Sequence, residues 1–287
     1  MATDAAGSIR RRRLGIELRE LRTRAGLTLD EVAARFDWSV SKASRMELGR
    51  VPVTRRDLGD LLTLYGVADE TQRETLLAIA RSGRERDWHH RFDDVLPRQF
   101  SVYLGFEKDA VRISTYEALL IPGLLQTPDY ARALIRAGRP QDTDDDIERR
   151  IQARIQRQEI LTRENPPELW AILDEAAIRR QVGGPDVMRT QLKKLAEVSR
   201  RPNITLQVVP FRAGAYMSEE SGFILLGFAE PEDPDVACID LLTRSLYMED
   251  RAEVGRYRVA LEHLRANAAS PADSQQLIAA ASREMGK

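Results

Sequence analysis

The sequence has few of the features that define several protein classes. It contains one cysteine, Cys238, in 287 residues. This excludes an internal disulfide framework and suits a reducing cytoplasm. It has no apolar run of membrane-spanning length, and no apolar segment follows the N-terminal arginines as in a secretion signal. With 43% hydrophobic and 31% charged residues, we expect a cytoplasmic globular protein of about two domains, with no membrane partner.

Catalytic constellations are also lacking. An enzyme would need a nucleophile with its base, paired carboxylates in a suitable context, or a metal cluster. Asp174 and Glu175 are adjacent in sequence, so we expect their side chains to point apart, and Cys238 has the apolar neighbours of a core residue. The sequence therefore predicts a protein that is not an enzyme, with no cofactor and no metal site.

Positive charge is concentrated near the N-terminus. Residues 1–66 carry 13 Lys and Arg and 9 Asp and Glu, a net charge of +4 in a chain of net charge −1. Four arginines, Arg10–Arg13, stand at the start of the first predicted helix. They form either a solvated charge run that opposes the helix dipole or an arm that contacts phosphates or the minor groove of DNA. We favour the arm, because a DNA-binding motif follows.

That motif occupies residues 28–50. Apolar residues recur at helical spacing before and after a break at Asp37-Trp38-Ser39. Thr28 and Glu31 form a capping-box pattern, and Ser39 is placed to cap the second helix. The pattern predicts a helix-turn-helix, whose second helix enters the major groove of DNA.

Residues 14–65 resemble the five-helix DNA-binding domain of the Xre/lambda-repressor family. The resemblance lies in ELRELRTRAGLT before the motif, in the helix at 39–45, and in MELGR after it. It implies that Arg22 and Glu47 form a structural pair between the first helix and the end of the recognition helix. Leu29 stands where a glutamine often contacts phosphate. Asp37 stands where glycine commonly makes a left-handed turn, which aspartate tolerates better than most residues.

The recognition helix offers candidate base contacts on its outer face. Arginine holds guanine bidentately, serine bonds either base type, and valine meets a thymine methyl, which suits Arg45, Ser41 and Val40. For Lys42 we expect a phosphate contact, and the alternative for Arg45 is a surface salt bridge. The candidate DNA contacts are Thr28, Ser39, Val40, Ser41, Lys42, Ser44, Arg45, Arg50 and Arg55, with Arg56 beside them and Arg10, Arg11 and Arg12 from the arginine run.

A second resemblance begins at Trp88 and continues almost to the C-terminus. Its most specific string is IPGLLQT followed by Tyr130-Ala131, and blocks such as RRIQARIQRQEIL and ILDEAAIRRQVGGPDVMRTQLKKLAE follow in order. This part is similar to the C-terminal domain of unknown function of actinobacterial Xre-type regulators, including those of the WhiJ kind and Scr1-type antitoxin-like proteins. The resemblance implies a transcriptional regulator that is often paired with a very small partner protein. It supplies no ligand-binding residues.

The pattern of this second part predicts an α/β domain. Strands are predicted at 168–173, 203–210, 222–228, 236–241 and 245–247, the last ones at hairpin-like separations, so the sheet should be partly antiparallel. A helix at 144–162 carries Arg149, Arg150, Arg154 and Arg157 on one side, which we expect to be a solvated basic face, with an anionic partner or ligand as the alternative. The loop at 212–221 lies near strand ends, a common place for a binding site.

The predicted fold class is therefore α+β. A lambda-repressor-like helix-turn-helix domain at 8–81 and a linker at 82–90 precede a larger α/β domain at 91–287 for effector or partner binding and dimerisation. We expect a sequence-specific transcriptional regulator that binds double-stranded operator DNA as a homodimer and senses a small partner protein or ligand. The alternative is an antitoxin-like interaction protein that binds a small cognate partner, with DNA binding secondary.

Overall fold

The computed structural model describes residues 9–82, 88–217, 221–230 and 233–285. It confirms the α+β class, with a helical N-terminal region followed by a mixed helix and sheet region. The chain divides into two compact units, Met1–His90 with Arg98–Asp109 and Arg91–Pro97 with Ala110–Lys287. Among the described helices, none combines the length and the apolar character needed to cross a membrane.

The first unit contains helices joined by short loops and no strand among its described residues. Its core contains Leu14, Leu18, Leu58 and Leu62, each at most 2% exposed. The helices are α1 (Ile9–Arg24), α2 (Leu29–Arg35), α3 (Val40–Glu47), α4 (Arg55–Leu64), α5 (Glu70–Ser82) and α6 (Arg98–Asp109).

The boundary between the units differs from the one expected from sequence. Helix α6 lies within the C-terminal domain predicted at 91–287, but it contacts α1 and groups with the first unit. Of the predicted linker 82–90, Ser82 is the last residue of α5 and Trp88–Phe92 is a 3-10 helix. Residues 83–87 lie outside the described residues.

The second unit is built on a six-stranded mixed sheet of order β3-β2-β1-β4-β5-β6. Strands β1, β2 and β3 are parallel, while β4, β5 and β6 follow as antiparallel neighbours. This confirms the predicted mixture. The strands are β1 (Arg112–Glu117), β2 (Glu168–Asp174), β3 (Ile204–Val209), β4 (Phe223–Gly227), β5 (Val236–Asp240) and β6 (Ser245–Met248).

Helices flank this sheet. One cluster of buried residues joins Tyr116, Ile172 and Phe223 of the sheet to Val254 and Leu261 of α11. A second cluster joins α7 to α8, and α12 contacts both α10 and β3. The helices are α7 (Pro128–Gly138), α8 (Asp144–Arg157), α9 (Glu175–Arg179), α10 (Pro185–Val198), α11 (Arg251–Asn267) and α12 (Pro271–Glu284).

The IPGLLQT string is a buried structural segment. Gln126 is 2% exposed, and its amide donates to the Ile121 carbonyl at 2.7 Å. Gln191 of α10 is fully buried, accepts from Thr127 N at 2.7 Å and donates to the Leu125 carbonyl at 2.8 Å. Lys194 adds a bond to the Gln126 carbonyl at 2.8 Å. These side chains satisfy backbone groups that have no helix or strand partner, as buried polar groups require.

The arginines of α8 do not form the predicted solvated face. Arg149 donates to Asp94 at 2.8 Å, and Arg150, with a side chain 14% exposed, donates to Asp142 at 2.7 Å. Arg149 and Arg150 also bond the carbonyls of Arg91 and Val95. The interpretation as a solvated face is wrong, because these guanidinium groups hold the segment before α6 and the loop before α8.

The next two arginines of α8 lie deeper. Arg157 is 9% exposed and Arg154 donates to Gln126 at 2.8 Å. A Cβ at Gly123 would lie 3.1 Å from a terminal nitrogen of Arg157, so a larger residue there would have to displace that guanidinium group slightly. Burial lowers the pKa of Arg154 to about 10 and raises that of the nearby Glu117 carboxyl to about 7.

The outer edge of β3 is closed by the segment that leads into α12. Val208 N donates to the Ser274 hydroxyl at 2.9 Å, and Ala269 N donates to the Val208 carbonyl at 2.9 Å. Ser274 is fully buried. An open edge would be a template for pairing with another chain, and these two bonds remove it at Val208.

We expect Ser274→Ala to lower the free energy of unfolding by about 1–3 kcal/mol, because the Val208 N–H would stay buried without a partner. Urea-induced unfolding of the full chain measures the loss, and hydrogen–deuterium exchange of β3 locates it. Ser282→Ala on the same helix is the control, since no hydrogen bond of Ser282 is found among the described residues. Equal behaviour of the two variants would contradict a role for Ser274 in closing the edge.

Candidate nucleic-acid interface

Local capping starts both helices of the helix-turn-helix. The Thr28 hydroxyl accepts from Glu31 N at 3.2 Å while the Glu31 carboxylate accepts from Thr28 N at 2.7 Å, which is the predicted capping box. These hydrogen bonds from Thr28 lower the pKa of the Glu31 carboxyl. The Ser39 hydroxyl accepts from Lys42 N at 3.1 Å and caps α3. Both helices therefore begin where the sequence predicted.

The turn between α2 and α3 depends on an aspartate in a left-handed conformation. Asp37 has φ 55°, and it is the only non-glycine residue with positive φ in the described part of the chain. The Trp38 ring lies 4.8 Å from the Phe36 ring, and Trp38 N donates to the Ala33 carbonyl at 2.9 Å. The expectation that Asp37 replaces the usual glycine is confirmed, since aspartate tolerates this region.

Helix α1 packs closely against α3 at one crossing point, on the side away from its exposed outer face. A Cβ built on Gly15 would lie 2.4 Å from the Glu47 carbonyl oxygen and 2.9 Å from that of Met46. Only glycine allows the two backbones to approach so closely. Sequence analysis missed Gly15, because a glycine inside a helical pattern carries no signal of what faces it.

The predicted structural pair lies at the same crossing. Arg22 Nε and Nη2 donate to the two Glu47 carboxylate oxygens at 2.7 and 3.1 Å, with side chains 12% and 9% exposed. Arg22 also donates to the Leu27 carbonyl at 2.7 Å. The hydrogen bond to Glu47 raises the pKa of Arg22. A fork of this kind fixes direction as well as distance, so α1, α3 and the loop before α2 are locked together.

The outer face of α3 stays open. Val40 is 42% exposed, and Ser41 and Arg45 are exposed as well, whereas Ala43 and Met46 are buried on the inner face. Arg45 Nε donates to the Ser41 carbonyl at 3.2 Å. No carboxylate pairs with Arg45 among the described residues. Its guanidinium therefore keeps donors available, and the salt-bridge alternative has no partner in the described structure.

Lys42 and Ser44 are less available than the sequence suggested. Lys42 is half-buried, with its amine 3.7 Å from the Asp57 carboxylate of α4 and 3.9 Å above the centre of the Trp38 ring. Ser44 is half-buried too. A phosphate contact by Lys42 would have to compete with Asp57, a residue that sequence analysis did not connect with the site.

Further arginines follow α3. Helix α3 ends in a Schellman motif, in which Gly49 has φ 65°. Gly49 N donates to the Met46 carbonyl at 3.0 Å, and Arg50 N donates to the Arg45 carbonyl at 2.9 Å. Arg50 is exposed just beyond it, and Arg55 and Arg56 are exposed in the first turn of α4. These side chains are not part of the hydrophobic core and remain candidate phosphate contacts.

The N-terminal arginine run belongs to a helix. Helix α1 begins at Ile9, so Arg10–Arg13 lie in its first turns, where the sequence predicted them, and their contact with DNA stays a prediction. Arg11 and Arg13 are half-buried. The side chains of Arg10 and Arg12 lie outside what the structure describes.

Comparisons with known families match two separate parts of the chain, and the second match begins inside α6. Residues 13–76 match a family described as a helix-turn-helix domain. Residues 100–280 match a family described as a domain of unknown function, DUF5753. No curated protein and no solved structure matches the chain significantly.

Gly15→Ala should disturb the packing of α1 against α3 and so the position of the recognition helix. Two backbone carbonyl oxygens face the new methyl group and cannot rotate away. We expect a loss of about 1–3 kcal/mol in the stability of the first unit, as for an overpacked core, together with weaker DNA binding. Urea-induced unfolding and DNA titration measure the two effects.

Gly59→Ala on α4 is the matched control, because a Cβ there meets nothing within 4 Å. This variant should be neutral or more stable by up to about 1 kcal/mol, since alanine is the better helix former. If Gly15→Ala behaved like Gly59→Ala, the close crossing of α1 and α3 would not be needed.

Proposed function

Since the chain belongs to the DUF5753 family and carries a helix-turn-helix domain ahead of that region, we propose that it is a sequence-specific transcriptional regulator. Its helix-turn-helix binds double-stranded operator DNA, and its C-terminal domain senses a small partner protein or ligand. The observation that carries this proposal is the exposed outer face of α3, where Arg45 has no acidic partner among the described residues.

The proposed contacts fall into two groups. Arg45 and Ser41 bond base edges, and Val40 meets a thymine methyl. The others position the protein on the phosphates, which carry no sequence information. This group contains Thr28, Ser39, Lys42, Ser44, Arg50, Arg55 and the arginines of the run, Arg10, Arg11 and Arg12. The net charge of +4 on residues 1–66 supports it, because phosphate neutralisation supplies much of the affinity for DNA.

Regulation is proposed to act through the second domain. An effector changes DNA occupancy only if it binds the DNA-competent and the incompetent state with different affinities. The resemblance to actinobacterial regulators of the WhiJ kind and to Scr1-type antitoxin-like proteins supports a very small partner protein as one such effector. A cytoplasmic regulator of this kind needs no catalytic step, and we propose none.

The second candidate function is an antitoxin-like interaction protein whose main act is to hold a small partner. The observation that favours it is an exposed apolar hairpin tip. Leu241 is 47% exposed and Leu242 is fully exposed between β5 and β6. Exposed leucines side by side suit a protein contact. In this alternative, DNA binding is secondary or autoregulatory.

Arg45→Ala should weaken binding at the cognate site by about 1–3 kcal/mol and relax specificity there. Genome-wide footprinting of wild type and variant finds the sites, and titration on one site against random DNA gives the difference. Arg24→Ala is the control, because this exposed arginine is paired with Glu20 at 3.0 Å on α1. An equal loss on random DNA would make Arg45 a phosphate contact, and sites indifferent to Arg45 would favour the antitoxin-like alternative.

We expect the protein to bind DNA as a homodimer on an inverted repeat. Two recognition helices in successive major grooves require half-sites roughly 34 Å, or about 10 bp, apart, or a multiple of that spacing. Analytical ultracentrifugation of the complex gives the number of protomers on each operator, and the footprinted sequences give the spacing. One protomer on a site without dyad symmetry would contradict the dimer.

A further inference from the structure

The second unit contains a cavity of about 290 Å³ where its parallel strands end. Ala118 and Leu119 follow β1, Asp174 is the last residue of β2, and Pro210 follows β3. Phe211, Gly214 and Tyr216 line the other side. In open α/β sheets, ligands bind in the crevice outside the carboxyl ends of the strands. The cavity occupies that position, and it is at the small end of the range for ligand sites.

A hydrogen-bonded chain fixes the polar side of this cavity. Tyr216 donates to an Asp174 carboxylate oxygen at 2.5 Å, and the hydroxyl groups of Tyr116 and Tyr216 lie 2.7 Å apart. Because Tyr216 has one proton and gives it to Asp174, Tyr116 is the donor in the second bond. Burial, followed by the hydrogen bond to Asp174, raises the pKa of Tyr216. The phenol therefore stays protonated and Asp174 stays the acceptor.

The charge of Asp174 has no counterion in the described structure. Its neighbour Glu175 is paired with Arg179 at 2.7 Å and accepts from Phe211 N at 2.8 Å. Asp174 instead bonds only neutral donors, Tyr216 and Ala176 N, the latter at 2.7 Å. A carboxylate offers about four acceptor positions, so roughly two remain. Among the residues that the structure describes, no lysine or arginine lines the cavity.

The remaining lining is apolar and partly open to solvent. Leu119 is 54% and Phe211 is 58% exposed, and both line the cavity. An apolar body would cover these side chains, while an ammonium group has three donors for the free positions of Asp174. An anion would meet an uncompensated carboxylate, and a neutral alcohol would leave the charge unpaired.

We propose that this cavity binds a small organic cation, an amine with a compact apolar body, whose nitrogen pairs with Asp174 and whose apolar part covers Leu119 and Phe211. The inference deepens the proposed function, because it assumes that the second domain is the sensing domain. The cavity volume favours a small molecule over a folded partner, whose surface would extend far beyond 290 Å³.

The test uses the full chain with three probes of one skeleton, namely 2-phenylethylamine, 2-phenylethanol and phenylacetate. At a concentration of about ten times its Kd, a ligand raises the melting temperature of a unit of this size by about 3 °C. We expect 2-phenylethylamine to give this shift and the alcohol and the acid to give none. Ligand-observed NMR then gives the Kd of each probe directly.

Asp174→Asn removes the charge and keeps one oxygen, which caps α9 at Ala176 N, since asparagine is as good a cap as aspartate. Its amide nitrogen then faces Tyr216, whose hydroxyl accepts from it and donates elsewhere. We expect this variant to weaken amine binding at least tenfold. Glu164→Gln, which neutralises an exposed carboxylate elsewhere, should leave binding unchanged. Amine binding that survives in Asp174→Asn, equal binding of the alcohol or the acid, or no binding of any probe would each overturn the inference.

DNA titration with and without the amine separates this inference from the function that it rests on. If the amine binds in an Asp174-dependent way and changes the affinity for operator DNA, both stand. If it binds and DNA affinity is unchanged, the site stands and the proposed sensing role falls. If the chain binds its operator but no amine, the regulator stands and the cation site falls.

Discussion

The backbone crossing of α1 and α3 is the constraint on which the DNA-facing surface depends. Gly15 lets the two helices touch, and the Arg22–Glu47 fork fixes their direction. A helix of eight residues is too short to be stable by itself, so α3 keeps its shape because its inner face and both ends are held. Its outer face is then free to carry residues chosen for recognition and not for stability.

In the second unit, polar side chains hold an irregular buried segment in place. The Ile121–Thr127 segment runs through the interior, and its described backbone groups bond to Gln158, Gln191 and Lys194 from two different helical segments. Each such bond is strong only while both partners are present, because a lone buried polar group is costly. The residues of the IPGLLQT string are therefore explained by what the fold requires. A string that is easily recognised in a sequence does not thereby mark a binding site.

Local rules explain why so much of the helix-turn-helix is predictable. The capping box at Thr28, the cap at Ser39 and the left-handed turn at Asp37 each depend on residues within a few positions. The strands of the second unit with apolar alternation are predictable within one or two residues for the same reason. Strand β1, at the centre of the sheet, is not. Its sequence RISTYE is mostly polar, and its Thr115 is buried by neighbours that come from distant parts of the chain.

Arginine shows most clearly where sequence reasoning stops. Arg45 and Arg154 each stand on a helix with basic neighbours nearby, and the pattern alone assigns both to an outer face. The structure leaves Arg45 exposed with no acidic partner among the described residues, but it directs Arg154 onto Gln126, where its charge interacts with that of Glu117. A guanidinium has five donors in a rigid fork, so it serves equally well to grip a phosphate or to join two segments inside a domain. Which of these two roles an arginine has depends on the group that faces its guanidinium. That group belongs to a residue distant in sequence, so the local pattern does not reveal it. The same reasoning isolates Asp174, since its neighbour Glu175 pairs with Arg179, whereas no lysine or arginine in the described part of the chain pairs with Asp174.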